Sequence, residues 1–279
     1  MNKNLIGLDI GTGSVKVATA SGTFSFPSII ARGKSIDIEA KEIVLVGNDA
    51  LKAEHVKSMA IRTPVYRGAP TSMDDYLDLI RHALDHIINS KDALSVHYSD
   101  LVIMAGIPYN AKEHVRKIKE AVIESFGPRF FGVMFQAKAT LDHMALQDGI
   151  VCHIGHGTTE IMAVSHGKIA YGQTLMHGVG DITNAICSSK TQYVDNEIFL
   201  KNTPELANSR KILAANISDS LEKVVIDYPH LKIVFAGGGA LVPRLVSEIK
   251  NGIIKDAIIA ENPVFSNALG MLKRAEKCI

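Results

Sequence analysis

The sequence has few cysteines and almost no net charge, and each shortage excludes a class of protein. Its three cysteines, Cys152, Cys187 and Cys278, are too few and too scattered for a disulfide framework or a zinc site. The formal net charge of +1 gives no overall electrostatic reason to bind nucleic acid or a membrane surface. Any DNA partner would therefore need a local basic patch or an adaptor protein.

Long apolar runs are also missing. No run approaches the roughly 20 residues that a membrane-spanning helix needs. The first residues, 1–4, lead into a strand pattern with an acidic residue and not into the apolar region of a signal peptide. We therefore expect a cytoplasmic protein without a membrane partner. A content of 47% hydrophobic and 21% charged residues in a chain of 279 is typical of globular proteins and leaves room for two domains.

What the sequence does contain is one segment that occurs twice. Residues 6–17 form an apolar run, a Gly-x-Gly turn with a hydroxyl residue beside it, and a second apolar run. Residues 150–161 repeat this pattern in register. One Gly-x-Gly is weak evidence, but two in register between strand-like segments predict a duplicated domain with two facing turns.

The turns are predicted to be glycine-rich β-hairpins. They lack the residue order of a P-loop, and the residues after the first turn alternate like a strand where a dinucleotide fingerprint needs a helix. Backbone N–H groups of such a hairpin can bind phosphate, although a single copy is more typical of an ordinary hairpin. The second copy favours phosphate binding. The predicted phosphate-binding residues are Gly11, Thr12, Gly13, Ser14, Lys16, Gly155, His156, Gly157, Thr158 and Thr159.

Asp9 precedes the first turn, where a carboxylate can hold the waters of a phosphate-bound Mg²⁺. We therefore predict that Asp9 is the metal-binding residue and that Lys16 neutralises phosphate oxygens. The second copy has His153 in place of Asp9 and Glu160 in place of Lys16. A histidine in a buried strand is more often a core residue than a ligand, so we predict no metal role for His153.

Two further glycine clusters fall at strand-to-helix junctions. The first is a triplet that allows a flat group or a phosphate to approach closely, and it consists of Gly237, Gly238 and Gly239. The second, Gly180 with Asp181, opens a predicted helix. Asp181 there either caps the helix or reaches a ribose. We include all five residues among the predicted nucleotide contacts.

Strand and helix patterns alternate along the chain, and their order repeats once. Strands are predicted within 5–30 and at 43–47, 101–105, 130–135, 150–165, 168–175, 231–236 and 258–259. Helices are predicted at 72–88, from a cap at Asn110 to 126, at 136–147, 182–188, 192–226 (as two helices), 240–249 and 266–277. This order predicts an α/β protein with two related halves.

Together, these motifs resemble those of the actin, Hsp70 and sugar-kinase ATPase superfamily over nearly the whole chain. Residues 9–16 resemble its first phosphate loop, 155–159 its second, and 234–240 its adenosine motif. Gln136 at a helix start resembles the first connecting segment between the domains. Residues 265–270 are similar to the second connecting helix of plasmid-segregation actins of the ParM type.

The resemblance implies an α/β, duplicated actin-like (ribonuclease H-like) fold with two domains flanking a nucleotide cleft. We expect domain I at 1–135 plus 264–279, with a small insertion at about 31–70, and domain II at 136–263. The stretch from Gly180 to the adenosine-like strand is short for the small subdomain called IIB. This subdomain is expected to be reduced or missing, as in AlfA-type proteins.

The resemblance also implies a function. ATP, or GTP, would bind with Mg²⁺ in the cleft. Gln136 would orient the attacking water, and Asp9 would hold the waters of the metal ion. The protein would polymerise with itself and segregate plasmid DNA through a DNA-binding adaptor, without direct contact to nucleic acid. The family usually has an acidic residue where this sequence has His153, so the hydrolysis rate or the metal geometry is expected to differ.

Two other functions are compatible with the motifs. The first is an Hsp70-like, non-polymerising ATPase that acts as a chaperone or reactivating factor for a metabolic enzyme. The second is a small-molecule kinase, but the sequence offers no convincing carboxylate to deprotonate a substrate hydroxyl.

Overall fold

The computed structural model describes residues 4–34, 41–90, 96–184, 203–250 and 257–278. The strands in these ranges are β1 (Leu5–Ile10), β2 (Ser14–Thr19), β3 (Gly22–Pro27), β4 (Ile30–Lys34), β5 (Glu42–Val46), β6 (Ala60–Arg62), β7 (Val65–Tyr66), β8 (Ala69–Pro70), β9 (Val102–Ile107), β10 (Phe130–Phe135), β11 (Gly149–Ile154), β12 (Thr159–Ser165), β13 (Lys168–Leu175), β14 (Ile233–Ala236) and β15 (Ala257–Ile259). The α-helices are α1 (Asn48–Lys52), α2 (Met73–Ile88), α3 (Val115–Phe126), α4 (Gln136–His143), α5 (Val179–Asn184), α6 (Pro204–Asp227), α7 (Leu245–Lys250) and α8 (Ser266–Glu276).

The first half forms a five-stranded sheet around β1. Every residue of β1 is buried, because this strand lies in the centre of the sheet, whose order is β10-β9-β1-β2-β3. β1 and β2 form an antiparallel hairpin with Asp9 opposite Lys16, and β9 runs parallel to β1 on the other side. The first glycine turn therefore connects the two strands of this central hairpin.

The second half repeats this arrangement in a sheet of order β13-β12-β11-β14-β15. β11 and β12 form an antiparallel hairpin with His153 opposite Glu160, and β14 runs parallel to β11. β11 is buried throughout, like β1. Strand order and directions match between the two sheets, which confirms the predicted α/β fold with two related halves.

Two helices join the halves where the glycine turns meet. α4 starts directly after β10, and α8 packs on β1, β9 and α4. The helices approach closely at Gly270, where a Cβ atom would lie far inside the van der Waals distance of the Ala139 carbonyl. A larger side chain at position 270 would therefore push α8 away from α4.

The small insertion in the first half contains more structure than the sequence predicted. One strand was expected at 43–47, whereas β4, β5 and β6 form a three-stranded sheet. Arg32 on β4 ties this sheet to α2 through Asp75, at 2.7 Å, and through Asp78. Short strands with little alternation are hard to recognise from sequence, because their pairing partners are distant in the chain.

Several helix predictions need correction. Asn110 does not cap a helix; residues 109–114 form a 3₁₀ helix and α3 begins only at Val115. The helix predicted to reach 147 ends at His143. Of the stretch 192–226, predicted as two helices, the described part forms one helix, α6; residues 185–188 and 192–202 lie outside the described ranges. The stretch 240–249 splits into a 3₁₀ helix at 238–241 and α7.

The described part of the chain contains no helix that is both long enough and apolar enough to cross a membrane. Of the cysteines, Cys152 is buried on β11 and Cys278 is exposed, and both are free thiols. Cys187 lies outside the described ranges.

Candidate functional site

The two glycine turns have the same internal hydrogen bond. The backbone N–H of Gly11 donates to the carbonyl of Ser14 at 3.1 Å, and Gly155 donates to Thr158 at 2.8 Å. Each bond closes the end of a hairpin, β1–β2 or β11–β12. The structure therefore confirms the hairpin interpretation of both motifs and their equivalence.

The two turns face and contact each other. A Cβ atom on Gly13 would lie 2.8 Å from the ring of His156, and one on Gly157 would lie 2.7 Å from Oγ1 of Thr12. Each turn thus places its second residue against the second glycine of the other. Only glycine leaves room for this reciprocal packing, which explains the glycines at these two positions.

Little space remains between the turns in this arrangement. The cavity beside them, lined by Thr12, Arg67, His156 and Gly157 among others, has a volume of about 30 Å³. That is room for roughly one or two water molecules. A polyphosphate between the turns would therefore require the two halves of the protein to move apart.

Asp9 lies behind the first turn and is almost fully buried. Its carboxylate accepts a hydrogen bond from Nε2 of Gln136 at 2.6 Å. On the other oxygen, Nζ of Lys16 and Nδ2 of Asn267 are each 3.5 Å away. Asp9, Lys16 and Gln136, which the sequence singled out separately, are therefore brought together by β1, β2 and α4.

His153 occupies the equivalent position in the second half and takes part in a buried polar network. Its Nε2 lies 2.9 Å from Nδ2 of Asn267, and Oδ1 of Asn267 accepts from the hydroxyl of Thr140 at 2.7 Å. Burial lowers the pKa of His153 to about 4. The imidazole is therefore neutral at pH 7 and accepts from the Asn267 amide.

Glu160, opposite His153 on β12, is a buried carboxyl group that the sequence placed but did not assign. It accepts from the backbone N–H groups of Ala137 at 3.1 Å and Tyr109 at 3.2 Å. Burial raises the pKa of Glu160 to about 8, the two N–H groups oppose the shift, and the charge of Asp9 adds to it. Both donors belong to segments that follow strands of the first sheet, so Glu160 links the two halves.

The segment after β13 supports the second turn from behind. Val179 and Gly180 donate their N–H groups to the carbonyls of Gly155 and His156, at 3.0 and 2.8 Å. The hydroxyl of Thr159 donates to the carbonyl of His177 at 2.9 Å. Gly180 and Thr159 thus hold the turn in place, and the Thr159 hydroxyl is occupied by this bond.

Asp181, predicted either to cap a helix or to reach a ribose, is bonded on both oxygens. Oδ2 accepts from the backbone N–H of Gly178 at 3.0 Å, and His177 lies 3.3 Å from the same oxygen. Oδ1 pairs with Nη2 of Arg67 at 3.3 Å. Arg67 comes from the first half, so this ion pair spans the cleft.

The triple-glycine turn lies beside the second hairpin. It follows β14, which pairs with β11 so that Ala236 is opposite His153. Gly237 has a positive φ of 81° and donates its N–H to the carbonyl of Pro263 at 2.8 Å. Gly238 has open space around it, whereas Gly239 packs against Ile154. Gly238 is therefore the member of the triplet that a ligand can approach.

These residues fit a Mg²⁺ ion that is bound mainly through phosphate. No group of three or more metal-ligating side chains exists among the described residues. Mg²⁺ in nucleotide sites typically takes one or two carboxylates, several waters and phosphate oxygens. The single carboxylate of Asp9, buried beside a glycine turn, matches that requirement.

Three residues of the site were not predicted from sequence: Arg67, Asn267 and Glu160. Asn267 lies in the segment that resembles a connecting helix, and this resemblance could have identified it from the sequence. Arg67 sits in an Arg-Gly turn with no recognised motif. Glu160 was noted only as the counterpart of Lys16, because its N–H donors are distant in the chain.

Comparisons with known proteins identify a family and a fold. The family model Actin matches residues 3–195. Actin-related protein 2 of Arabidopsis thaliana is 29% identical over 178 residues, covering 60% of this chain and 43% of that protein. The protein of the same name from Drosophila melanogaster is 27% identical, covering 58% and 42%. The chain thus spans less than half the length of these relatives.

Solved structures with a similar fold have low sequence identity. MreB 5 of Spiroplasma citri bound to AMPPNP has a TM-score of 0.74 at 16% identity, covering all of this chain and 97% of that one. The same protein bound to ADP has a TM-score of 0.74 at 18% identity, covering 98% and 96%. At this identity the likeness shows the fold alone. The match to the family model Actin does not favour the Hsp70-like alternative.

Proposed function

The chain belongs to the actin family, and we propose that it binds a nucleoside triphosphate with Mg²⁺ between its two glycine turns and polymerises in response. The observation that carries this proposal is the reciprocal contact of the turns at Gly13 and Gly157, with Asp9 directly behind them. The family match and the MreB structures, one with AMPPNP and one with ADP, support it.

The phosphates would be held from both sides. The N–H groups of Gly11 and Gly155 already close the turns, so the remaining backbone N–H groups of residues 12–14 and 156–158 would bind the phosphates. Such groups bind anions without a side-chain charge. Lys16 would place its ammonium group near the phosphate oxygens. Gly237–Gly239 would lie next to the nucleoside, with Gly238 exposed to it. Either ATP or GTP is compatible with these contacts.

Mg²⁺, when bound, would neutralise negative charge on the phosphates while the terminal phosphate is transferred to water. Asp9 would hold the waters of the ion, and Lys16 would stay within reach of Asp9. Gln136 would orient the attacking water through its amide oxygen, because its Nε2 is already bonded to Asp9. An amide is not a base, so catalysis would depend on positioning and would be slow.

We further propose that residues 1–135 with 264–279 form one domain and 136–263 the other. Their relative motion would open and close the contact between the turns. The stretch between Gly180 and β14, residues 181–232, is short for a complete small subdomain IIB. We propose that IIB is reduced and that this protein is a plasmid-segregation actin of the ParM/AlfA type; the shortness of this stretch supports both.

In that finer proposal, filaments of this protein move plasmid DNA through a DNA-binding adaptor. The net charge of +1 supports an indirect link, since direct DNA binding depends on an excess of positive charge at the contact. Filaments that form but show no adaptor-dependent attachment to the cognate plasmid DNA would contradict this finer proposal.

Polymerisation is tested by sedimentation and electron microscopy of the purified chain. We expect a pelletable filament with Mg-ATP or Mg-AMPPNP and none without nucleotide. Asp9→Ala should abolish the response, whereas Asp49→Ala, an exposed aspartate outside the cleft, should retain it. A wild-type protein that binds nucleotide but never pellets over a wide concentration range contradicts polymerisation; one that binds no nucleotide contradicts the whole proposal.

A further inference from the structure

Arg67 is carried across the cleft by the two-stranded hairpin β7–β8. It lies at the tip of this hairpin, between Tyr66 and Gly68, with a positive φ of 45°. A positive φ is uncommon for a residue with a long side chain and stores some strain. The tip is held against the first phosphate turn, because the N–H of Gly68 donates to Oγ1 of Thr12 at 3.2 Å.

Among the described residues, the guanidinium of Arg67 forms hydrogen bonds beyond its own hairpin only with the second half. Nη1 donates to the carbonyl of Gly157 at 3.3 Å, and Nη2 to Oδ1 of Asp181 at 3.3 Å. Both bonds are long, and the side chains of Arg67 and Asp181 are 28% and 34% exposed. An ion pair of this kind contributes little to stability. The contact is therefore easy to exchange.

Asp181 does not depend on Arg67 for its position. Its other oxygen accepts from the backbone of Gly178 at 3.0 Å and lies 3.3 Å from His177. If Arg67 left Asp181, the carboxylate would remain held at the start of α5. Arg67 can thus exchange partners without disturbing the support of the second turn.

The surroundings of Arg67 suit an anion. The guanidinium borders the small cavity beside the turns, which is also lined by Thr12, His156 and Gly157. Nζ of Lys16 lies 3.5 Å from the carboxylate of Asp9, so its positive charge is already paired. Burial lowers the pKa of His156, with Lys16 adding to the shift, so His156 offers no cation at pH 7. A planar guanidinium with paired donors is well matched to phosphate oxygens.

We propose that Arg67 binds the terminal phosphate of a nucleoside triphosphate, exchanging Asp181 for it, and thereby distinguishes triphosphate from diphosphate. This inference rests on the proposed nucleotide site between the turns. The exchange links the presence of the last phosphate to the position of the β7–β8 hairpin. Loss of that phosphate returns Arg67 to Asp181.

Calorimetric titration of Mg-AMPPNP and Mg-ADP into the full chain tests the proposal. For Arg67→Ala we expect AMPPNP binding to weaken by about tenfold or more, as for loss of a charged hydrogen bond, while ADP binding changes less than about twofold. Asp181→Asn removes the competing carboxylate, so the ratio of AMPPNP to ADP affinity should rise. Arg62→Ala removes a half-exposed arginine of the same insertion, paired with Asp75 at 3.6 Å, and should keep the wild-type ratio.

The outcomes separate this proposal from the function on which it rests. If Arg67→Ala weakens both nucleotides equally, or neither, Arg67 is only a structural link and the inference fails while the nucleotide site stands. A lower ratio in Asp181→Asn also contradicts it. If the wild type binds neither nucleotide, the proposed function and the inference fail together. Circular dichroism of each variant verifies that it is folded.

Discussion

Nε2 of Gln136 donates a hydrogen bond of 2.6 Å to the carboxylate of Asp9. The bond connects the first residue of α4 to the central strand of the first sheet, and both side chains are buried. Because the amide nitrogen is engaged, the amide oxygen of Gln136 is the atom left to accept a hydrogen bond from water. The residue that would orient water is thereby fixed to the residue that would organise the metal.

Replacing Gln136 by alanine is expected to slow nucleotide hydrolysis while leaving binding largely intact. The loss should be roughly ten- to hundredfold, because only the positioning of water is removed. Phosphate release over time measures this rate, and sedimentation should show filaments that persist longer. Gln147→Ala, at an exposed glutamine on the surface, is the matched control. An unchanged rate in Gln136→Ala would remove Gln136 from the mechanism.

His153→Asp should accelerate Mg²⁺-dependent hydrolysis by about tenfold, because it adds one charged group at the reacting centre. The neutral imidazole of His153 cannot attract the waters of a metal as a carboxylate does. The comparison is with His153→Asn, which stays neutral and should show no gain. Rates measured across a series of Mg²⁺ concentrations decide the question; a gain in both variants would show that the charge is not the cause.

Glu160 predicts a dependence of folding stability on pH. Its pKa is raised to about 8 in the folded chain from 4.5. The unfolded chain therefore loses this proton at lower pH than the folded one. The contribution of Glu160 to stability is complete below about pH 4.5 and is lost as pH rises to about 8.

Glu160→Gln should flatten this part of the profile. Urea unfolding of both proteins between pH 5 and about pH 8.5 measures the difference in free energy of unfolding, and subtracting the two curves removes contributions of the other groups. A wild-type profile parallel to that of the variant would contradict the raised pKa of Glu160.

Gly270→Ala should lower the melting temperature. The added Cβ atom would collide with the Ala139 carbonyl where α8 meets α4. Overpacking of this kind typically costs about 1–3 kcal/mol, which corresponds to roughly 2–4 °C for each kcal/mol in a chain of this size. Gly238→Ala, where the new atom has open space, serves as control. Equal melting temperatures for both variants would show that the helix contact tolerates separation.

The sequence predicted those parts of the site that repeat or lie close together in the chain. The turns at 11–14 and 155–158 could be matched because the duplication aligns them. The hairpin itself was predicted, and the structure places Asp9 opposite Lys16 across it. Strand alternation predicted β13 with its observed bounds.

The contacts that cross between the halves could not be predicted in the same way. Arg67 reaches Asp181 only because the β7–β8 hairpin lies over the cleft, and no local pattern sets that position. The donors to Glu160 come from residues 109 and 137, which folding alone brings to one carboxylate. Asn110 looked like a helix cap, but its backbone N–H is bonded to Thr174 in the other half.

Hydrogen–deuterium exchange with and without Mg-AMPPNP tests the central claim, that both glycine turns bind the phosphates together. The account predicts slower exchange in peptides covering residues 11–14 and in those covering 155–158, at the same nucleotide concentration. Protection of one turn only, or of neither while nucleotide is shown to be bound, would contradict it.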